Sequence, residues 1–87
     1  MRKMFKQKEL TEMFKDKEFG WGKYHLYFYS EDFDLEEQDC EVEILDGIVK
    51  ITTWLTEDQQ PFKRTEIEGY DYIPFEKIIR ISFGKDF

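Results

Sequence analysis

The sequence predicts a mostly β member of the α+β class: an N-terminal amphipathic helix and about five antiparallel strands forming a small SH3-like or Sm-like barrel. Three observations lead there. Apolar residues recur at helical spacing near the N-terminus, and from Tyr24 onward they begin to alternate. The third is Asp46-Gly47, which sits between two strand-like runs whose residues match in chemistry when counted outward from it. An open antiparallel sheet with the helix on one face is the alternative architecture. At 87 residues the chain is expected to form one domain, 1–87. Sixteen aromatic residues and eight isoleucines supply a core and exclude wholesale disorder, although 38% of the residues are charged.

The helix is expected over about Phe5 to Lys17, where Leu10, Met13 and Phe14 form one stripe between Lys and Glu residues. Gly20 and Gly22 around Trp21 are expected to end it. Tyr24 to Tyr29 reads as a strand, with Tyr24, Leu26 and Phe28 toward the core and His25, Tyr27 and Tyr29 on the other face. Asp46-Gly47 suits a two-residue type I′ turn, which needs positive φ at both positions. Counting outward pairs Leu45 with Ile48, Ile44 with Val49, Glu43 with Lys50 and Val42 with Ile51. Each pair is apolar with apolar or acid with base, and a slipped register would lose that agreement. The same count sets Cys40 beside Thr53 on the apolar face and Trp54 beside Asp39 on the outer one.

Glu57 to Pro61 is a polar break that should end this strand. Phe62 to Ile67 can form the next one, with Gly69 marking a turn or bulge before Tyr70 to Ile73. Pro74-Phe75-Glu76-Lys77 interrupts with a helical-type turn, because proline cannot donate to a strand pairing. Ile78 to Phe83 completes the sheet, and Gly84 is expected to end it. The phrase from Tyr72 to Ile81 resembles the strand-turn-strand ending of several small barrels, and that resemblance implies the same barrel closure.

Charge is segregated along the chain. The formal net charge is −7, yet residues 1–23 hold seven basic residues against four acidic ones, a balance of +3. Between 31 and 46 lie Glu31, Asp32, Asp34, Glu36, Glu37, Asp39, Glu41, Glu43 and Asp46, with no Lys or Arg. A solvated face accounts for such a run in most proteins. The sharper alternative is a docking surface for a basic partner, with association steered by the negative field. The basic helix could also fold back onto the acidic run and neutralise it.

Several chemistries find little support. Asp32, Asp34 and Glu36 alternate as at the start of a calcium loop, but Glu37 stands where the loop needs glycine, so no metal site is expected. One histidine and one cysteine do not make a zinc site. Cys40 lies between Asp39 and Glu41, which would raise its thiol pKa, and a buried apolar role is expected for it. There is no phosphate loop and no nucleophile motif, so no catalytic residue and no cofactor are assigned. No apolar run reaches the length of a membrane span, no leader is read at the N-terminus, and a cytoplasmic setting is expected.

The functional expectation is a non-enzymatic, acidic protein-interaction module. Its expected partner-binding residues are Glu31, Asp32, Asp34, Glu36, Glu37 and Asp39, with the outer-face aromatics Tyr27, Tyr29 and Trp54 as anchors. The expected partner is a basic protein, in the most specific version a nucleic-acid-binding enzyme. There the carboxylates would mimic nucleic acid, as in an inhibitor from a phage or mobile element. The alternative is a small barrel that binds RNA or DNA through the basic N-terminal region and the exposed tyrosines, against which the acidic remainder weighs. A homodimer through exposed strand edges is a further option.

Overall fold

A computed structural model describes residues 4–57 and 63–85. The elements are α1 (Gln7–Phe14), β1 (Tyr24–Ser30), β2 (Asp34–Glu37), β3 (Cys40–Ile44), β4 (Ile48–Glu57), β5 (Lys63–Pro74), a one-turn 3-10 helix (Phe75–Lys77) and β6 (Ile78–Lys85). The strands form two antiparallel three-stranded sheets, in the orders β2-β1-β6 and β3-β4-β5.

Helix α1 is shorter than its sequence pattern and stops for a different reason. At its start the Glu9 carboxylate accepts the Lys6 backbone N–H at 3.0 Å, satisfying one of the donors a helix N-terminus leaves over. At its end Lys15 swings to ψ 133° and Asp16 adopts a left-handed φ of 59°. Aspartate tolerates that region better than most side chains. The helix is therefore closed by Lys15-Asp16, upstream of the expected glycines. Leu10 is fully buried, and Phe14 meets Phe83 edge-on with ring centroids 5.2 Å apart.

The hairpin register agrees with the outward count: Cys40 pairs with Thr53, Val42 with Ile51, Glu43 with Lys50 and Ile44 with Val49. The Trp54 N–H donates to Asp39 O at 3.0 Å, as that register requires. The turn differs from type I′. Of its two central residues only Gly47 has positive φ, at 79°. One positive φ, at the second central position, is the pattern of a type II turn.

Strand β5 is continuous through Gly69, and the expected irregularity is a bulge there: Thr53 pairs with Gly69 but Trp54 with Ile67, leaving Glu68 over. Pro74 ends β5 and the 3-10 turn follows, as expected, whereas Gly84 lies inside β6 and does not end it. Residues 58–62, on which the expected break and Phe62 fall, lie outside the described residues.

The acidic run changes the architecture. Asp34–Glu37 pairs with β1, opposite Tyr29 through Leu26, and Cys40–Ile44 pairs with β4. Between them the Glu37 carboxylate accepts the backbone N–H groups of Gln38 and Asp39 at 3.2 and 3.3 Å. A side chain bonded to those donors takes them from the strand pairing, and the strand breaks in two. The chain changes sheet here and again at the 3-10 turn after Pro74. Among the described residues no strand pairing joins the two sheets. The expected barrel is thus not closed, and the alternative single open sheet is not formed either.

The inward faces bury Leu26 and Phe28 of β1, Cys40 of β3, Val49 and Ile51 of β4, Ile73 of β5, and Ile78 of β6. Leu10 and Phe19 close one end, and Phe75 of the 3-10 turn joins the same cluster. No helix of the described residues is long and apolar enough to cross a membrane. If α1 is integral to this core, Leu10→Ala is expected to lower unfolding free energy by about 2–5 kcal/mol, the range for an emptied leucine site. Urea denaturation followed by far-UV circular dichroism measures it, and a change below about 0.5 kcal/mol would show that the helix is not integral.

Candidate functional site

The expected site residues divide between two surfaces. On the outer face of the first sheet, β1 presents His25, Tyr27 and Tyr29, all half-buried. Strand β2 flanks them in register, Asp34 opposite Tyr29 and Glu36 opposite Tyr27. Across β1, strand β6 sets Arg80 opposite Tyr29, Ser82 opposite Tyr27 and Gly84 opposite His25. The Arg80 guanidinium carbon lies 5.8 Å from the Tyr29 ring, and the His25 and Tyr27 rings are 4.8 Å apart. The Tyr27 ring lies close over Gly84, where a Cβ would stand 3.1 Å from Tyr27 Cε2. The helix does not cover this face; its nearest packing neighbour is β3.

The acids of the run are differently employed. Asp32 pairs with Lys77 at 3.1 Å, and Glu36 approaches His25 Nε2 at 3.9 Å. Glu31 is exposed, and its backbone N–H donates to Lys77 O at 2.9 Å. The Glu37 carboxylate is occupied by the backbone at the strand break. Asp34 and Glu36 remain exposed beside the tyrosines.

Asp39 and Trp54 belong to the second sheet. Their organiser is Arg64, a residue the sequence did not single out. Its Nη2 donates to Phe19 O at 2.7 Å and to Cys40 O at 3.3 Å, and its Nη1 donates to Glu41 at 3.1 Å. Its Nε lies 3.8 Å from Asp39, and its guanidinium carbon 5.8 Å from the Trp54 ring. Trp54 and Asp39 therefore serve this junction, on the outer face of a different sheet from Tyr27 and Tyr29.

Beside the junction a cleft of about 750 Å³ opens between the α1–β1 connection and β3. Phe14, Phe19 and Val42 line it together with Trp21, which is 46% exposed on the turn before β1. At its edge Lys23 pairs with Glu18 at 2.9 Å and holds that carboxyl below its usual range. The cations and acids of this cleft balance, so it has no marked electrostatic preference.

Strand β5 carries a surface the sequence reading passed over. On the outer face of the second sheet Lys50 pairs with Tyr72, Thr52 with Tyr70 and Trp54 with Ile67. Tyr70 and Tyr72 are 50% and 58% exposed. The Lys50 ammonium sits 4.9 Å above the Tyr70 ring and not against Glu43, its cross-strand neighbour. Between Thr65 and Glu76 the chain carries Glu66, Glu68, Asp71 and Glu76 with no Lys or Arg. The alternation Tyr70-Asp71-Tyr72-Ile73 was the available signal, with both tyrosines opposite the core residue Ile73.

Two expectations follow. Arg64→Met keeps the apolar stem but leaves two carbonyls and two carboxylates without their donor. It is expected to cost about 1–3 kcal/mol, with little rescue from Arg64→Lys because an ammonium lacks the planar fork. A denaturation midpoint unchanged in Arg64→Met would refute this role. Cys40 is buried, and burial, helped by Glu37, pushes its thiol pKa up from about 9 to about 12. Below the unfolded-state value near 8.5 the neutral thiol carries no penalty; as pH rises from there toward about 12, folding loses stability because only the unfolded chain ionises. Cys40→Ala is expected to flatten the stability–pH curve in that window, and the native thiol should react with a thiol reagent only as fast as the protein opens.

The chain matches no protein-family model, no curated protein and no solved structure.

Proposed function

We propose that the protein is a non-enzymatic interaction module that binds a basic partner protein through the outer face of the sheet β2-β1-β6. One observation carries this reading: the in-register rows that set Asp34 beside Tyr29 and Glu36 beside Tyr27. Carboxylates two residues apart on one strand project from the same face about 6.7 Å apart, a regular row of negative charge. Tyrosines beside them supply apolar area with a polar tip, the composition of interface anchors. The net charge of −7 steers a basic surface toward the module and makes association salt-dependent. In its most specific form the row mimics nucleic acid and occupies the groove of a nucleic-acid-binding enzyme.

A single strand stacking on Tyr27 and Tyr29 is the second reading, favoured by Arg80 beside Tyr29. It requires phosphates to approach the same rows that hold Asp34 and Glu36, and that repulsion ranks it lower.

The test is affinity capture from host lysate with the wild-type protein and with Asp34→Asn/Glu36→Gln. At low salt the wild type is expected to retain a basic protein that about 0.5 M salt releases, since screening then acts within about 4 Å. The variant should retain at least about tenfold less, which is about 1.4 kcal/mol of binding energy. Equal capture by the variant overturns the reading. Nucleic acid recovered in place of protein favours stacking.

A further inference from the structure

We propose that the free edge of β5 over Gly69–Ile73 takes up an extended basic segment of the partner as a fourth strand of the sheet β3-β4-β5. This rests on the reading that the partner is basic and adds a second contact, on the other sheet. Among the described residues the sheet order gives β5 a neighbour on one side only, although at 12 residues it is the longest of the described strands. Its register shifts lie before Gly69; from Gly69 to Pro74 it pairs with Thr53 through Ile48 without interruption. That stretch is a regular edge, bounded by the bulge at Glu68 and by Pro74, which has no N–H to offer. Such an edge presents backbone donors and acceptors to an incoming strand.

The side chains determine which strand fits. Tyr70 and Tyr72 stand exposed on the outer face, and Asp71 lies on the opposite, inward side, paired with Ile51. An inward-pointing charge on an edge strand opposes pairing with an apolar strand. A second copy of β5 is opposed as well, since it would bring Glu66, Glu68 and Asp71 against their own kind. A strand with Lys or Arg on the side of Asp71 and apolar or aromatic residues on the side of Tyr70 and Tyr72 complements both faces. The rings already receive a cation in the free protein, with the Lys50 ammonium 4.9 Å from Tyr70 and 6.0 Å from Tyr72.

The test uses the isotope-labelled wild-type protein and two capped heptapeptides of alternating lysine and valine. They are identical except that one is N-methylated at alternate amides. The unmodified peptide is expected to shift the amide resonances of Gly69–Ile73 and to slow their hydrogen exchange. The methylated peptide keeps the charge but loses the strand hydrogen bonds, and it should bind at least about tenfold more weakly. Glu68→Gln/Asp71→Asn should weaken the unmodified peptide several-fold, and Glu12→Gln, which removes an exposed charge on α1, should not. Equal binding of both peptides, resonance shifts confined to Asp34–Glu37, or binding of neither peptide overturns strand addition. The lysate capture decides the basic-partner reading separately. Light-scattering mass showing a dimer that the peptide dissociates also overturns the proposal, because the edge would then belong to a second copy.

Discussion

Arg64 is the point on which the arrangement of the second sheet depends. One guanidinium reaches the α1–β1 connection through Phe19 O, strand β3 through Cys40 O and Glu41, and the strand break through Asp39. The connection at Phe19 and the run Asp39 to Glu41 are distant in sequence from each other and from Arg64, and Gln38 Nε2 adds a second tie between them by donating to Gly20 O at 3.3 Å. The planar fork suits this work, because its donors diverge in fixed directions while its guanidinium carbon lies 5.8 Å from the Trp54 ring. Arg64 is half-buried, and its terminal nitrogens donate to Phe19 O, Cys40 O and Glu41. The cleft beside it is a seam whose cations and acids balance.

The second constraint is the broken strand at Gln38-Asp39. Glu37 bonds its own downstream backbone, and one strand becomes two that serve different sheets. The two sheets then share a core without sharing a hydrogen-bonded strand, which leaves their outer strands as edges. Edges are ordinarily blunted with charge, bulges and proline. Here β2 is short and acidic, while β5 carries two bulges, an inward aspartate and a terminal proline. The features that discourage indiscriminate pairing are the ones from which the proposed basic strand is argued: acids that call for positive charge and tyrosines that call for apolar groups.

The acidic composition thus has two structural destinations. Part of it is spent internally, on Arg64, Lys77 and the backbone at the strand break. The rest includes Asp34 and Glu36, displayed beside Tyr29 and Tyr27, and Glu68 and Asp71 on β5, where Asp71 lies on the side opposite Tyr70 and Tyr72. Ion pairs at exposed positions add little stability, so the displayed acids contribute little to holding the fold together.

Local pattern determined a good deal of this. The stripe of Leu10, Met13 and Phe14, the alternation from Tyr24 to Tyr29, the pairing around Asp46-Gly47, the bulge at Gly69 and the turn after Pro74 were legible because each depends on neighbours in sequence or on one short turn. The outer placement of Tyr27, Tyr29 and Trp54 was legible for the same reason. Assembly was not. That Trp54 and the tyrosines belong to different sheets, that Arg64 joins three distant segments, and that Glu37 breaks a strand all depend on contacts far apart in the chain or on a side chain competing with backbone. The barrel expectation failed there, because strand count and order do not reveal whether edges meet. Sequence by itself determined the helix, most of the strands with their faces, and the acidic character of the chain. Only the tertiary structure decided which acids are consumed internally, which remain displayed and which edges stay open, because long-range contacts distribute the hydrogen-bond donors and charges.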